Sequence, residues 1–380
     1  MLLFGFILLS YIICRAILPL RLHWGWKAGL ALAAALAAFK FHILHWFGGE
    51  MFFAPELPVP VLLGAAWYYA VFFLFFFLLA GADIGRGIVL AWMFCRGRKR
   101  TERFRVVGNR VNLALLAGAM MLAAIGIAAG TAVPEVREER IELERLPQEL
   151  EGFTIAVLAD LHADTLTRAG RIRAIVERAN ACSPDLTVIA GDFVDGRVVE
   201  RGAELRPLEE LRAKYGVFGV PGNHEYYSGY REWMRFLPTL GIRMLENTGE
   251  TIAGGRLTLA GVTDPAAVRF GLEAPDIRGA FAGTPAETVK VLLAHQPKLA
   301  PEAAAEGADL QISGHTHGGL ILGFDRLVAR FNAGFVSGFY RVGAMALYVT
   351  RGSGMWNGFP VRLGVPSEIT LLRLTRGGGG

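Results

Sequence analysis

The sequence predicts an α-helical membrane module followed by an α/β domain built on two sheets. Three observations carry that fold class. The chain is 53% hydrophobic with a mean hydropathy of +0.39, too apolar for 380 residues of ordinary soluble protein. Its long apolar runs all precede Pro134. Beyond Arg137, short β-like runs alternate with amphipathic helical segments, and a polar cluster follows several of the runs.

Four apolar segments make up the first part, at residues 2–20, 24–47, 59–82 and 111–133. Each approaches the roughly 20 residues that cross a hydrocarbon core of about 30 Å. Arg15 and Pro19 interrupt the first; with neither a basic flank nor a small-residue cleavage site, it reads as an uncleaved span rather than a signal peptide. The third either continues beyond Asp83-Ile84-Gly85-Arg86-Gly87 as a longer helix or gives way to a short interfacial piece. Anchoring is the expected role, and Lys40, His42 and His45 are the residues that point to transport unless they snorkel.

Charge placement orients the module. The first 133 residues hold twelve Lys/Arg against four acids, net +8, and the 27 bases and 30 acids of the remainder leave −3. Seven bases between Arg96 and Arg110 put the link before the fourth segment in the cytoplasm. Arg15, Arg21 and Lys27 agree, whereas the link at residues 48–58 carries Glu50 and Glu56 and no base. Four spans then place everything after Val133 on the non-cytoplasmic side of the cell's inner or plasma membrane. The slightly acidic second part excludes a nucleic-acid footprint, and nothing implies a protein partner. Cys14, Cys95 and Cys182 are too few and scattered for a disulfide framework or a thiolate metal site. The expected domains are therefore a transmembrane module at 1–133, a globular domain at 134–376 and a flexible glycine tail at 377–380.

In the globular part, strands are expected at residues 141–146, 153–159, 186–190, 217–220, 243–245, 251–252, 257–260, 289–294, 310–312, 346–349 and 369–374. Helices are expected at 171–180, where Ile172, Ile175, Val176 and Ala179 share one face, and at 205–214, 233–240 and 298–306. Early βαβ units and a later run of strands imply two packed sheets with helices outside. Functional loops then gather at the carboxyl ends of the strands.

Five polar clusters occupy such positions: Asp160-Leu161-His162, Gly191-Asp192, Gly222-Asn223-His224-Glu225, His295 and Gly314-His315-Thr316-His317. Singly, each has a structural explanation, since Asp and Asn favour turns. Placement of every cluster after an apolar run is not what independent turn chemistry produces. Imidazoles and hard oxygens, with one carboxylate able to bridge, are the inventory that two nearby divalent ions require.

On these motifs, Asp160-Leu161-His162, Gly191-Asp192-Phe193-Val194-Asp195, Gly222-Asn223-His224-Glu225, His295 and Gly314-His315-Thr316-His317, the chain resembles the calcineurin-like metallophosphoesterase family. Gly318-Gly319 and Leu347-Tyr348-Val349-Thr350-Arg351-Gly352 make it similar to the bacterial membrane-linked subgroup that includes YkuE and YaeI. The resemblance covers residues 141–374 and implies a four-layer α/β/β/α sandwich that hydrolyses phosphoesters. It implies two divalent ions drawn from Mn, Fe, Zn or Mg, with Asp160, His162 and His317 on the first, Asn223, His295 and His315 on the second, and Asp192 bridging. It assigns His224 to the leaving group, while a hydroxide between the metals attacks phosphorus. Asp195 and Glu225 are expected to orient ligands.

Trp356 and Phe359, with Tyr226 opposite, are expected to rim the cleft. Beside a membrane such a rim suits a lipid or amphiphilic phosphodiester. Two alternatives stay open: a pyrophosphatase of nucleotide-linked lipid precursors such as UDP-diacylglucosamine, and a metal-binding membrane sensor or scaffold without turnover.

Overall fold

The structure is a computed structural model that describes residues 2–48, 52, 54–98 and 102–377. It divides into two compact units, Met1–Ala129 with Gly358–Val361, and Gly130–Asn357 with Arg362–Gly380. Residues 378–380 of the expected glycine tail and parts of the links at 48–58 and 96–110 lie outside the described residues, whereas Gly377 donates its N–H to Leu143 O at 3.2 Å.

The helical unit consists of α1 (Leu2–Ile12), α2 (Trp24–Ala38), α3 (Lys40–Gly48), α4 (Val59–Cys95) and α5 (Glu102–Thr131). Among the described residues, two helices can cross a membrane by length and composition, α4 and the stretch Val107–Thr131, and a third crossing arises if α2 and α3 form one broken span. That pair is bent by 66°, at Phe39, whose φ of −108° and ψ of 18° leave the helical region. Four spans were expected. The first segment falls short because Leu2–Ile17 ends ahead of Pro19.

The third segment does continue, since α4 runs unbroken for 37 residues, about 55 Å at 1.5 Å per residue. Its internal charges are paired. Asp83 accepts from Arg15 Nε at 2.6 Å, Arg86 Nη1 at 2.7 Å and the Tyr11 hydroxyl at 2.8 Å. Arg86 also donates to Asn112 Oδ1 at 2.5 Å. Charges in an apolar helix bundle persist when they satisfy one another in this way. Lys40 is buried rather than snorkelling, and its ammonium lies 4.3 Å from the Phe41 ring centroid.

The second unit holds twelve strands in two six-stranded sheets, ordered β1-β12-β2-β3-β4-β5 and β10-β11-β9-β8-β7-β6. The strands are β1 (Glu135–Leu143), β2 (Thr154–Leu158), β3 (Leu186–Ile189), β4 (Val217–Gly219), β5 (Ile242–Met244), β6 (Thr248–Ile252), β7 (Leu257–Gly261), β8 (Val289–Leu293), β9 (Leu310–Ser313), β10 (Gly338–Val342), β11 (Met345–Val349) and β12 (Glu368–Arg376). From β2 to β5 and from β7 to β9 neighbouring strands run parallel. Their carboxyl ends therefore open on a common edge of each sheet.

Alternation along the strands builds the layers. Val157, Val188, Phe218, Leu257, Val291, Ile312 and Leu372 point between the sheets into one buried core. Leu158, Ile189 and Ile369 face the other way, onto α6 (Ala169–Ala181), α7 (Val198–Leu205) and Trp233. Outside the second sheet, Leu292 and Leu347 pack on Ala300, Ala303, Ile277 and Ala280. The order is helix, sheet, sheet, helix, as expected. Each such aliphatic side chain contributes roughly 1.5–3 kcal/mol on burial.

Several elements differ from expectation: the strand β10 and the short helices Ile277–Phe281 and Asp325–Phe331 were not expected, and the helix expected at 233–240 runs from Tyr230 to Phe236. β1 begins at Glu135 because backbone pairing with β12 extends it through a charged, exposed run; charges on an edge strand deter further pairing. The helix expected at 205–214 lies earlier, at α7, and passes into a 3₁₀ turn, Arg206–Glu210. Pro207 has no N–H to continue it.

Candidate metal centre

All five clusters meet. Asp160 and His162 follow β2, Asp192 follows β3, His295 follows β8, and His315 and His317 follow β9. Asn223 opens the short helix α8 (Asn223–Tyr227) after β4. Asp160, His162, Asp192, His315 and His317 all have positive φ, between 47° and 73°. Non-glycine residues in that region cost of order 1–3 kcal/mol each and collect at functional sites. The surrounding backbone holds them there: Asp160 N donates to Gly191 O at 2.9 Å and His162 N to Asp192 O at 3.1 Å.

Glycines make room for the cluster. Gly191 has φ +88°, and a Cβ there would lie 2.6 Å from His295 Nδ1. A Cβ on Gly222 would lie 2.1 Å from Asp192 Oδ1. Both positions exclude any side chain.

Among the described residues the ligand atoms converge in three overlapping groups, one of which joins His162, Asp192 and His224 and links the other two. Those of Asp160, His162 and His317 lie within 4.8 Å of one another, as do those of Asp192, His295 and His315. His162 Nε2 faces His317 Nε2 at 3.1 Å, and His295 Nε2 faces Asp192 Oδ2 at 3.1 Å and Asn223 Oδ1 at 3.2 Å. A carboxylate can only accept, so His162 Nδ1 donates to Asp195 Oδ2 at 3.0 Å, and His295 Nδ1 donates to the Ala190 carbonyl at 2.7 Å. Their neutral forms therefore carry the lone pair on Nε2, aimed into the group. This donor set of imidazole and oxygen fits hard or borderline divalent ions.

The electrostatics agree with a cation site. Burial works against charge on His295, yet Asp192 and Asp160 push it up to about 10. Burial likewise opposes ionised Asp192, but His295 and His224 hold it well below the usual carboxylate range. Burial drives His315 down to about 3, helped by His295. His317 is also lowered, by burial and then by the charges of His162 and Arg362.

Around these groups lie the orienting residues. Asp195 also binds His224 Nδ1 through its second oxygen, and His224 Nε2 stands 3.9 Å from Asp192 Oδ2. Glu225 accepts from the backbone N–H groups of Gly222 at 2.6 Å, Phe193 at 2.8 Å and Asp192 at 3.1 Å. It thereby fixes the Asp192 loop rather than touching the ligand groups.

Sequence reasoning missed Arg362, which is buried and donates Nη2 to the carbonyls of Arg351 at 2.9 Å and Gly354 at 3.1 Å. Its guanidinium comes within 3.3 Å of His317 Nδ1. An isolated arginine in an irregular, proline-flanked stretch gives no periodic signal. Of the expected rim, Trp356 has its ring 6.5 Å from that of His224. Phe359 falls in the helical unit, where its ring packs 5.1 Å from Phe73. Tyr226 is buried and stacks on Tyr230 at 4.2 Å, because the first turn of α8 points it inward; Tyr227 is the tyrosine beside His224, at 5.3 Å.

The family model for calcineurin-like phosphoesterases matches residues 153–319, which include every ligand position above. An uncharacterized metallophosphoesterase of Helicobacter pylori strain J99 is 38% identical over 66% of this chain and 66% of that one. The transmembrane protein with metallophosphoesterase domain of Bos taurus is 30% identical over 92% of this chain and 80% of its own length. The uncharacterized metallophosphoesterase YkuE of Bacillus subtilis strain 168 is 27% identical over 63% and 85% respectively.

Proposed function

Because this chain belongs to the calcineurin-like metallophosphoesterase family, we propose that it is a membrane-anchored phosphodiesterase whose ligand groups hold two divalent ions. The observation that carries the reading is the pair of ligand groups with Asp192 and Asn223 at the second and His224 beside both. Asp160, His162 and His317 would hold one ion, Asn223, His295 and His315 the other, with Asp192 shared. Bound divalent ions supply Lewis-acid charge toward the phosphoryl oxygens and a nucleophile near neutral pH. Mn, Fe, Zn and Mg all suit the donor set.

The chain's own residues supply the rest. Asp195 fixes the His224 ring through Nδ1, so Nε2 is the nitrogen presented to a bound phosphoester. Burial opposes charge on His224, but Asp195 and Asp192 raise it to about 9. In the metal-free protein these carboxylates favour the protonated ring, and we assign that proton to the leaving oxygen. An alcohol that departs without a proton is a poor leaving group, and a positioned acid is worth about 10²- to 10⁴-fold. Diesters of ordinary alcohols need that help most.

The bases at Arg96 to Arg110 support a cytoplasmic link and a catalytic unit on the opposite side of the membrane. A topology reporter fused after Thr375 should be active only outside the cytoplasm; activity confined to the cytoplasm would reverse the assignment. For the chemistry, metal-loaded protein is assayed on a panel of phosphoesters. Turnover of diesters supports the reading, and metal-bound protein inert toward the whole panel would overturn it.

A further inference from the structure

The His224 side of the site continues into an exposed apolar ledge. Tyr227 stands edge-on to His224 with 5.3 Å between ring centroids, and Phe270 lies 5.9 Å beyond Tyr227. Tyr227 is 40% exposed, Phe270 48% and Val268 62%. Their neighbours are not. Tyr226, Ala266 and Ala267 are buried together, backed by Tyr230 and Leu272, so the fold makes a packed floor beside which Tyr227 and Phe270 stand exposed. Single exposed apolar residues are ordinary, but a contiguous group beside a reactive side chain marks a binding surface.

We propose that this ledge is a subsite for the apolar part of the leaving alcohol, so that the favoured substrates are phosphodiesters whose departing group carries an alkyl chain or an aryl ring. This rests on the reading that His224 serves the leaving group. In the step concerned, a water oxygen bonds to phosphorus as that water's extra proton passes to solvent, from which His224 is later reprotonated, and the bond from phosphorus to the alcohol oxygen breaks. The electron pair stays on that oxygen, which takes the proton from His224. The carbon chain attached to it is then the part of the substrate nearest Tyr227, with Phe270 along its continuation. Trp356, 6.5 Å from His224, closes another side. A polar alcohol would leave these rings facing water and gain nothing from them.

The test uses the full-length chain loaded with metal and a series of dialkyl phosphates from dimethyl to dibutyl. Both ester oxygens carry the same chain, so one always faces His224, and the short chains stay in water. The series is read twice, as inhibition of bis(p-nitrophenyl) phosphate hydrolysis and as direct binding by calorimetry. In the wild type, affinity should rise roughly twofold to fourfold per methylene added to the chain on the ledge, the range for partial to full desolvation of a CH₂ group. In Phe270→Ala and, separately, Phe270→Ser, the dependence on chain length should flatten while dimethyl phosphate binds as before. Chain-length dependence that is absent from the wild type, or identical in both variants, overturns the ledge. Absence of any diester turnover by metal-loaded wild type is a different failure: it removes the parent reading, and the leaving-group assignment with it.

Discussion

Asp195 and His224 are joined through Nδ1 of the imidazole, and the other oxygen of the same carboxylate receives His162 Nδ1 at 3.0 Å. One buried carboxylate thus orients two rings with different tasks, a proposed metal ligand and a proposed acid. Asp195→Asn should therefore affect both. Kinetics and metal titration should show kcat reduced by roughly 10- to 100-fold and metal affinity weakened by a similar factor, the usual range for an orienting partner. Unchanged kcat with unchanged affinity would remove that role from Asp195.

His224→Ala separates acid from ligand. Metal content should stay at the wild-type level, because His224 is proposed as the acid and not as a ligand of either ion. The loss in kcat should be about 10²- to 10⁴-fold for alkyl leaving groups and much smaller for p-nitrophenolate, which departs without a proton. Equal losses across leaving groups, or loss of bound metal, would make His224 something other than an acid.

Much of this was legible beforehand, for identifiable reasons. Short apolar runs such as Thr154–Leu158 and Val289–Leu293 revealed the strands of the two sheets, and each ligand cluster sat at the end of such a run. Register and side-chain direction were not legible. Tyr226 and Tyr227 are equivalent as letters, yet one is 3% exposed and the other 40%, a choice made by the phase of a five-residue helix. Arg362 was invisible because it and its partners Arg351, Gly354 and Val365 lie in irregular chain, and its contact with His317 spans 45 residues. The charged start of β1 hid a strand that exists only through pairing with β12, more than 230 residues away. In the helical unit, hydropathy located the apolar runs but not the break at Phe39.

Gly191→Ala tests whether close approach is built into the site. The added Cβ would meet His295 Nδ1 at 2.6 Å in a backbone of φ +88°. Thermal or chemical unfolding should show a loss of about 1–3 kcal/mol, and metal bound by the His295 group should fall below that of the His317 group. A variant with wild-type stability and full metal content would show that the loop adjusts freely.

Metal affinity should depend on pH in a definite direction. In the metal-free site the carboxylates raise His295 to about 10, so below that pH a proton occupies the position that an ion would take. Binding must release it. Affinity at the second group should rise with pH between about 6 and 9, by about tenfold per unit for each proton displaced. His315, lowered to about 3, is already neutral there and adds nothing to the slope. Calorimetry in buffers of different ionisation enthalpy reads the proton count directly, and affinity independent of pH would contradict the assignment.

The most direct test of the central claim is metal removal. Purified protein is stripped with EDTA, its metal content measured, and hydrolysis of bis(p-nitrophenyl) phosphate followed before and after divalent ions are restored. Turnover should vanish on stripping and return as up to two ions per chain rebind, with Asp192→Ala failing to recover. Full turnover by protein verified to be metal-free would contradict it.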